Sequence, residues 1–168
     1  FIIVARPNFL GQATQLASFH QTHDGLSTIV VTPQQIYNEF SSGAQDICAI
    51  RDFVKMFYDK ATTSSELPKY LLLFGNGTYD NLNHLNYGND FIPTYESVNS
   101  TILTNSYVSD DFYGLLDDNE GLWSSNDYVD IGIGRFPVKT RDEAQTAVNK
   151  ILAYTKTGVP PSVSTNNS

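Results

Sequence analysis

The chain has 168 residues, with eighteen acidic and ten basic side chains and a net charge of -8. That balance excludes the basic footprint of a nucleic-acid surface and electrostatic docking on acidic lipid, and it makes an acidic substrate a poor match. With 40% hydrophobic and 12% aromatic residues, the chain can bury the core of one domain, and its single cysteine, Cys48, rules out an internal disulfide. No apolar run approaches the roughly 20 residues of a membrane helix, so direct membrane insertion is not expected.

Phe1 to Ala5 is short, β-branched and apolar, and predicts a first strand at or near the centre of a sheet. Arg6-Pro7-Asn8 breaks it. From Leu10 to Gln21 the residues Leu10, Ala13, Leu16, Ala17 and His20 fall at helical spacing on one face. Ser27 to Val31 reads as the next strand. Thr32-Pro33-Gln34-Gln35 is a helix start, with Thr32 as cap, Pro33 in the first turn and Gln35 completing a capping box. A short helix over Gln34 to Phe40 follows. A longer one begins near Asp46, with Ile47, Ile50, Val54 and Phe57 on one stripe.

Tyr70-Leu71-Leu72-Leu73-Phe74 is an apolar run stopped by Gly75-Asn76-Gly77, the signature of a strand buried on both faces. Residues Gly75 to Ser106 hold no sustained periodicity, a length that is uncommon outside functional loops. Tyr107 to Leu116 alternates in part and predicts one short strand. Asp117 to Gly121 is an acidic turn. Val129 to Ile133 predicts the last strand, ended by Arg135-Phe136-Pro137. Thr140 to Glu143 forms a second capping box, and Ala144, Val148, Ile151 and Leu152 stripe the last helix, stopped by Gly158 and Pro160-Pro161. The order strand, helix, strand, helices, strand predicts a three-layer α/β fold with a mainly parallel sheet of four to five strands flanked by helices. Residues 1–161 read as one α/β subdomain and 162–168 as a tail or linker. The Phe1 start and the polar end suggest a piece of a longer protein.

No complete catalytic set emerges from these residues. Cys48 lies in a predicted helix on or beside its buried stripe, without a histidine near in sequence; a nucleophilic thiol needs exposure, positive surroundings and a base, so a structural role is preferred. His20 and His23-Asp24 make half a metal site with no third ligand at a recognisable spacing, and read as polar residues at a helix end. His84, with Asp80 and Asp90, could join a polar cluster. Asp80, Asp110-Asp111 and Asp117-Asp118 are loop carboxylates of the kind calcium takes, but Asp117, Asn119 and Gly121 match only a fragment of an EF-hand. Asp80 or Asp110 would instead cap helices or bind backbone amides and fix the long loop. Gly75-Asn76-Gly77 follows a strand as a phosphate loop does, yet lacks the lysine and the further glycines of one.

Taken together, Tyr70 to Asp80, Ile92-Pro93-Thr94-Tyr95, Ser106 to Gly114, Asp130 to Pro137, Thr32 to Phe40 and the helix from Thr140 to Tyr154 resemble the gingipain-type cysteine peptidases, peptidase family C25, and within them the PorU-like sortase branch of the type IX secretion system. The resemblance covers nearly the whole chain in order. It implies a caspase-related catalytic domain of two side-by-side subdomains, of which this chain matches the N-terminal one. The family's catalytic histidine, in a Gly-His-Gly segment, and its later catalytic cysteine belong to the second subdomain. Neither motif occurs here, so the resemblance gives no residue of this chain a catalytic, cofactor-binding or metal-binding role. It implies that the intact parent is a cysteine endopeptidase or sortase, secreted or at the outer membrane and cell surface, that removes C-terminal sorting domains from type IX cargo, and that the fragment alone is inactive. The expected partners are the second subdomain, secreted protein cargo in the intact enzyme, and a second copy through an exposed face. The alternative is a self-standing binding or scaffold module, stabilised by calcium and without enzymatic activity.

Overall fold

Strand β1 (Ile2–Ala5) is buried along its whole length, and the sheet is built outward from it. In this computed structural model the described residues are 1–78, 80–81, 84–85, 91–98, 101–121 and 127–157. Strand β1 pairs with β2 (Ile29–Val31) on one side and with β3 (Tyr70–Phe74) on the other. Strand β6 (Gly132–Phe136) pairs with β3, and all these pairings are parallel. In register, Val4 lies opposite both Val31 and Leu73, and Leu72 lies opposite Gly134.

A central parallel strand is covered on both faces, so it needs an unbroken apolar run. Alternation then divides the run. Ile2, Val4, Leu71 and Leu73 face one core, while Ile3, Ala5, Leu72 and Phe74 face the other. The second core is closed by α1 (Leu10–His23), which follows a 3-10 turn at Pro7–Phe9, and by α4 (Arg141–Thr157). The first is closed by α2 (Pro33–Phe40) and α3 (Ile47–Lys60) through Ile36, Ile50, Phe53 and Val54. The chain leaves β1 for β2 in one direction and returns past β1 to β3 in the other. Crossovers of one hand must then use opposite faces, as α1 and the α2–α3 pair do. The expected three-layer α/β fold is present, with four strands in the sheet among the described residues.

Both expected capping boxes form. The Thr32 hydroxyl accepts from the Gln35 amide while the Gln35 side chain takes the Thr32 amide. Thr140 and Glu143 make the same exchange. Asp46 caps α3 by accepting from the Cys48 amide.

Three expectations need correction. The last strand runs from Gly132 to Phe136, not from Val129 to Ile133. Asp130 is spent on the neighbouring loop: its amide donates to Gly114 O at 2.9 Å and its carboxylate accepts from the Leu116 amide at 2.8 Å. The stretch read as one strand over Tyr107–Leu116 is strand β5 (Val108–Ser109) followed by a 3-10 turn at Asp111–Gly114. Strand β5 pairs antiparallel with β4 (Tyr95–Glu96), which lies inside the segment read as irregular. Cys48 lies in α3 beside the buried stripe of Ala49, Ile50, Phe53 and Val54, one of the two placements the sequence allowed, and it is exposed. The helix stop at Gly158 and Pro160-Pro161 and the 162–168 tail lie outside the described residues, as do Tyr79 and Asp90.

Candidate functional site

In open α/β sheets, ligands gather beyond the carboxyl ends of the strands. Here β1 ends at Arg6, β3 at Gly75-Asn76-Gly77 and β6 at Pro137. Arg6 is buried beneath this end. Its guanidinium donates to Asn76 Oδ1 at 2.9 Å and stacks over the Phe9 ring, centroid 4.8 Å away. A side chain at Gly75 would strike the Arg6 stem at 2.6 Å, so only glycine lets β3 end this close to it. Burial lowers the pKa of Arg6 from its usual value.

The organising residue is Arg135, the fourth residue of β6. All five of its N–H groups have acceptors. Nε and Nη2 grip the two oxygens of Asp110, each at 2.7 Å. Nη1 donates to Gly75 O at 3.1 Å and Ile92 O at 3.0 Å, and Nη2 to Pro93 O at 3.2 Å. One side chain thus ties the end of β3, the Ile92–Pro93 segment and the entrance to the 3-10 turn at Asp111–Gly114. Tyr113 adds a second tie, its hydroxyl donating to Pro93 O from a fully buried ring. Burial raises the Tyr113 pKa, so that hydroxyl stays a donor. The sequence reading treated Arg135 only as a strand terminator. Its partners lie 25 to 60 residues away, and no local pattern encodes them.

The loop carboxylates serve the backbone. Asp80 is buried and accepts from the amides of His84 at 2.8 Å and Leu85 at 2.7 Å, the amide-binding role expected of it. Asp110 belongs to Arg135. Asp117 accepts from the Tyr58 hydroxyl at 3.0 Å, and that bond, with burial, pushes the tyrosine up to about 12. Asp118 pairs with Lys55 at 3.2 Å. Lys55 and Arg51 also reach across from α3 to hold Leu116 O and Leu115 O, each at 2.6 Å. Among the described residues no three of His, Cys, Asp and Glu converge as a metal site.

Nor do the candidate nucleophile and bases meet. His20 and His23 both turn to Asp24 at the end of α1, on the sheet face opposite α3. His84 is exposed, and its backbone amide donates to Asp80. Cys48 is exposed, but burial of its sulfur's surroundings, then Asp46 and Asp52, push its pKa up and disfavour the thiolate. What remains is a cleft of about 370 Å³ bounded by Gly77, Thr78, Thr94, Ser109 and the Asp110–Arg135 pair. It offers hydroxyls, carbonyl-saturated guanidinium and backbone: groups that bound and orient, without a group that attacks.

The sequence model of peptidase family C25 matches residues 1–167. Among solved structures, the chain is similar to dimeric latent PorU from Porphyromonas gingivalis, at 39% identity over 91% of this chain and TM-score 0.78. It is also similar to the Arg-specific cysteine proteinase gingipain R (RgpB), at 22% identity over 91% of this chain and TM-score 0.60. A complex of the pro- and mature domains of Porphyromonas gingivalis RgpB matches at 20% identity over 91% of this chain and TM-score 0.60. The chain spans 15% of the first of these proteins and 28% of each of the other two. No curated protein matches the sequence.

Proposed function

The chain belongs to peptidase family C25, and on that premise we propose that it is the non-catalytic N-terminal subdomain of a secreted, gingipain-like cysteine endopeptidase or sortase. The observation that carries the reading is the lopsided overlap: a 39% identical relative accounts for 91% of this chain, while this chain accounts for 15% of that relative. The separation of Cys48 from the histidines supports it, since thiolate attack on a peptide carbonyl needs a base within hydrogen-bond reach. In the intact parent, the carboxyl-end layer held by Arg135 would form one wall of the working cleft. The second subdomain would supply the cysteine and the histidine. Within the PorU-like reading, the substrate is a type IX cargo protein losing its C-terminal sorting domain at the cell surface. Among the described residues, no helix is long and apolar enough to cross a membrane. A second copy is a candidate partner, because the PorU relative is described as dimeric.

The test compares this chain with the longer parent on a peptide spanning a sorting-domain junction. The expected result is turnover by the parent, none by the 168-residue chain, and unchanged parental turnover after Cys48→Ala. Cleavage by the fragment, abolished by Cys48→Ala, would overturn the proposal.

A further inference from the structure

The hairpin made by β4 and β5 is apolar where hairpins are ordinarily polar. Beyond its strands the Asn105 amide closes a turn on Ile102 O at 2.9 Å, which puts Leu103 and Thr104 at the turn's centre. Turn centres favour glycine, proline, asparagine, aspartate and serine. Here Leu103 is 96% exposed and Val98 91%, while Ile102, Tyr107 and Val108 are half-exposed. The patch is nevertheless braced. The Ser97 amide donates to Tyr107 O at 3.0 Å, and the Tyr107 amide to Ser97 Oγ at 3.1 Å. Tyr95 stacks on buried Phe112, ring centroids 5.2 Å apart, and Tyr107 lies 6.4 Å from Tyr95.

The strand register fixes what the other face carries. Glu96 stands opposite Val108, and Tyr95 opposite Ser109. In an antiparallel pair, opposed side chains share a face and successive ones alternate. Glu96, Val98 and Val108 therefore turn away from Phe112, to the side of Thr94 and Asp110. Val108, Thr94 and Asp110 all line the cleft beside Arg135. An apolar shelf with a carboxylate set in it thus continues from the cleft. Its surroundings are one-signed: between Lys69 and Arg135 the sequence has ten carboxylates and no lysine or arginine. Arg135 itself is taken by Asp110 and three carbonyls. Glu96 accepts from a neutral amide, Asn81 Nδ2, at 2.6 Å, and burial, then Asp80, raise its pKa. A cation placed beside that carboxylate would favour its charged form.

We infer that the cleft-side face of the β4–β5 hairpin is an exosite for an extended substrate segment that carries a lysine or arginine among apolar side chains. The cation sits at Glu96, and the apolar groups lie on Val108, Val98 and Leu103. This rests on the reading above and names what the substrate presents away from the bond that is cut. Position and charge select this occupant. A chain lying in the cleft continues over the shelf. A second copy would bring the same carboxylates against these, at a net charge of -8 on each chain. An acidic lipid surface is repelled for the same reason.

The probe is the labelled peptide Ser-Val-Ser-Lys-Ser-Val-Ser, followed by fluorescence anisotropy on the intact parent. Binding should saturate, and the same peptide with glutamate for lysine should bind at least about tenfold more weakly. Val98→Ser and Leu103→Ser together should weaken binding at least about tenfold, since they strip apolar contacts without touching the core. Glu96→Gln keeps an acceptor for Asn81 but removes the charge, and should weaken binding about threefold. Absence of saturable binding would overturn the inference, as would an affinity indifferent to the peptide's lysine or to the hairpin substitutions. So would a dimer, or adhesion to zwitterionic vesicles, that Leu103→Ser abolishes, since the occupant would then be a second copy or a membrane. A parent that binds the peptide in this pattern but cleaves no sorting-domain junction would sink the peptidase reading and leave the exosite standing.

Discussion

The sheet and the loop layer on its carboxyl end occupy one subdomain but are held by different balances of burial and polar anchoring. In the sheet, strands β1 and β3 are fixed by burial: Ile3, Val4, Leu73 and Phe74 have no exposed surface. In the loop layer, the described residues of 75–121 form the two-residue strands β4 and β5 and the 3-10 turn at Asp111–Gly114, and polar anchors add to the burial of Ile92, Phe112, Tyr113 and Leu116. Arg135 binds three carbonyls and a carboxylate, Asp80 takes two amides, and Arg51 and Lys55 hold three more carbonyls. Burial is non-directional and tolerates small shifts. A hydrogen-bonded clamp fixes atoms to a fraction of an ångström, which is what the wall of a reaction cleft requires.

The contrast predicts different failures. Leu73→Ala empties space between β3 and the α2–α3 layer and should cost about 3–4 kcal/mol of global stability. Chemical denaturation should show a lower midpoint with an unchanged slope, and exchange should rise at the strands and the loop layer together. Arg135→Met keeps the stem but takes the donor from Asp110, Gly75 O and Ile92 O, leaving Pro93 O to Tyr113 alone, at a cost of about 3 kcal/mol. That loss should be local. Exchange should rise over 75–78 and 91–94, while the β1 and β3 amides keep their protection. If Arg135→Met instead loosened β1 as much as Leu73→Ala does, the two layers would be one cooperative unit and the distinction would fail.

The same contrast explains what could be read in advance. The β1 and β3 runs, the four helices and both capping boxes are local patterns, complete within about a dozen residues, and they were legible. The position of β6 was not, because Val129-Asp130-Ile131 is more strand-like in composition than Gly134-Arg135. What moves the strand is the anchoring of Asp130 to Leu116 and the neutralisation of Arg135 by Asp110, both long-range. Asp80 was legible as an amide acceptor because it follows a glycine turn. For Cys48 the sequence left two placements open, on or beside the apolar stripe, because it stands next to Ala49 and Ile50 on that helix.

The smallest expected effect lies at the junction of the two regimes, where β6 leaves the sheet and α4 begins. Glu143 closes the α4 capping box by accepting from the Lys139 amide at 2.7 Å and the Thr140 amide at 3.3 Å. Those amides hold its carboxyl below the ordinary glutamate pKa. A carboxylate depressed in the folded state stabilises the fold above its unfolded pKa, and that contribution disappears as pH falls through the folded pKa. Glu143→Gln keeps an acceptor but removes the charge. It should lower the melting temperature slightly at pH 7 and leave it unchanged near pH 2. A gap between the two proteins that is the same at both pH values would mean that the box acts by shape alone, without its charge.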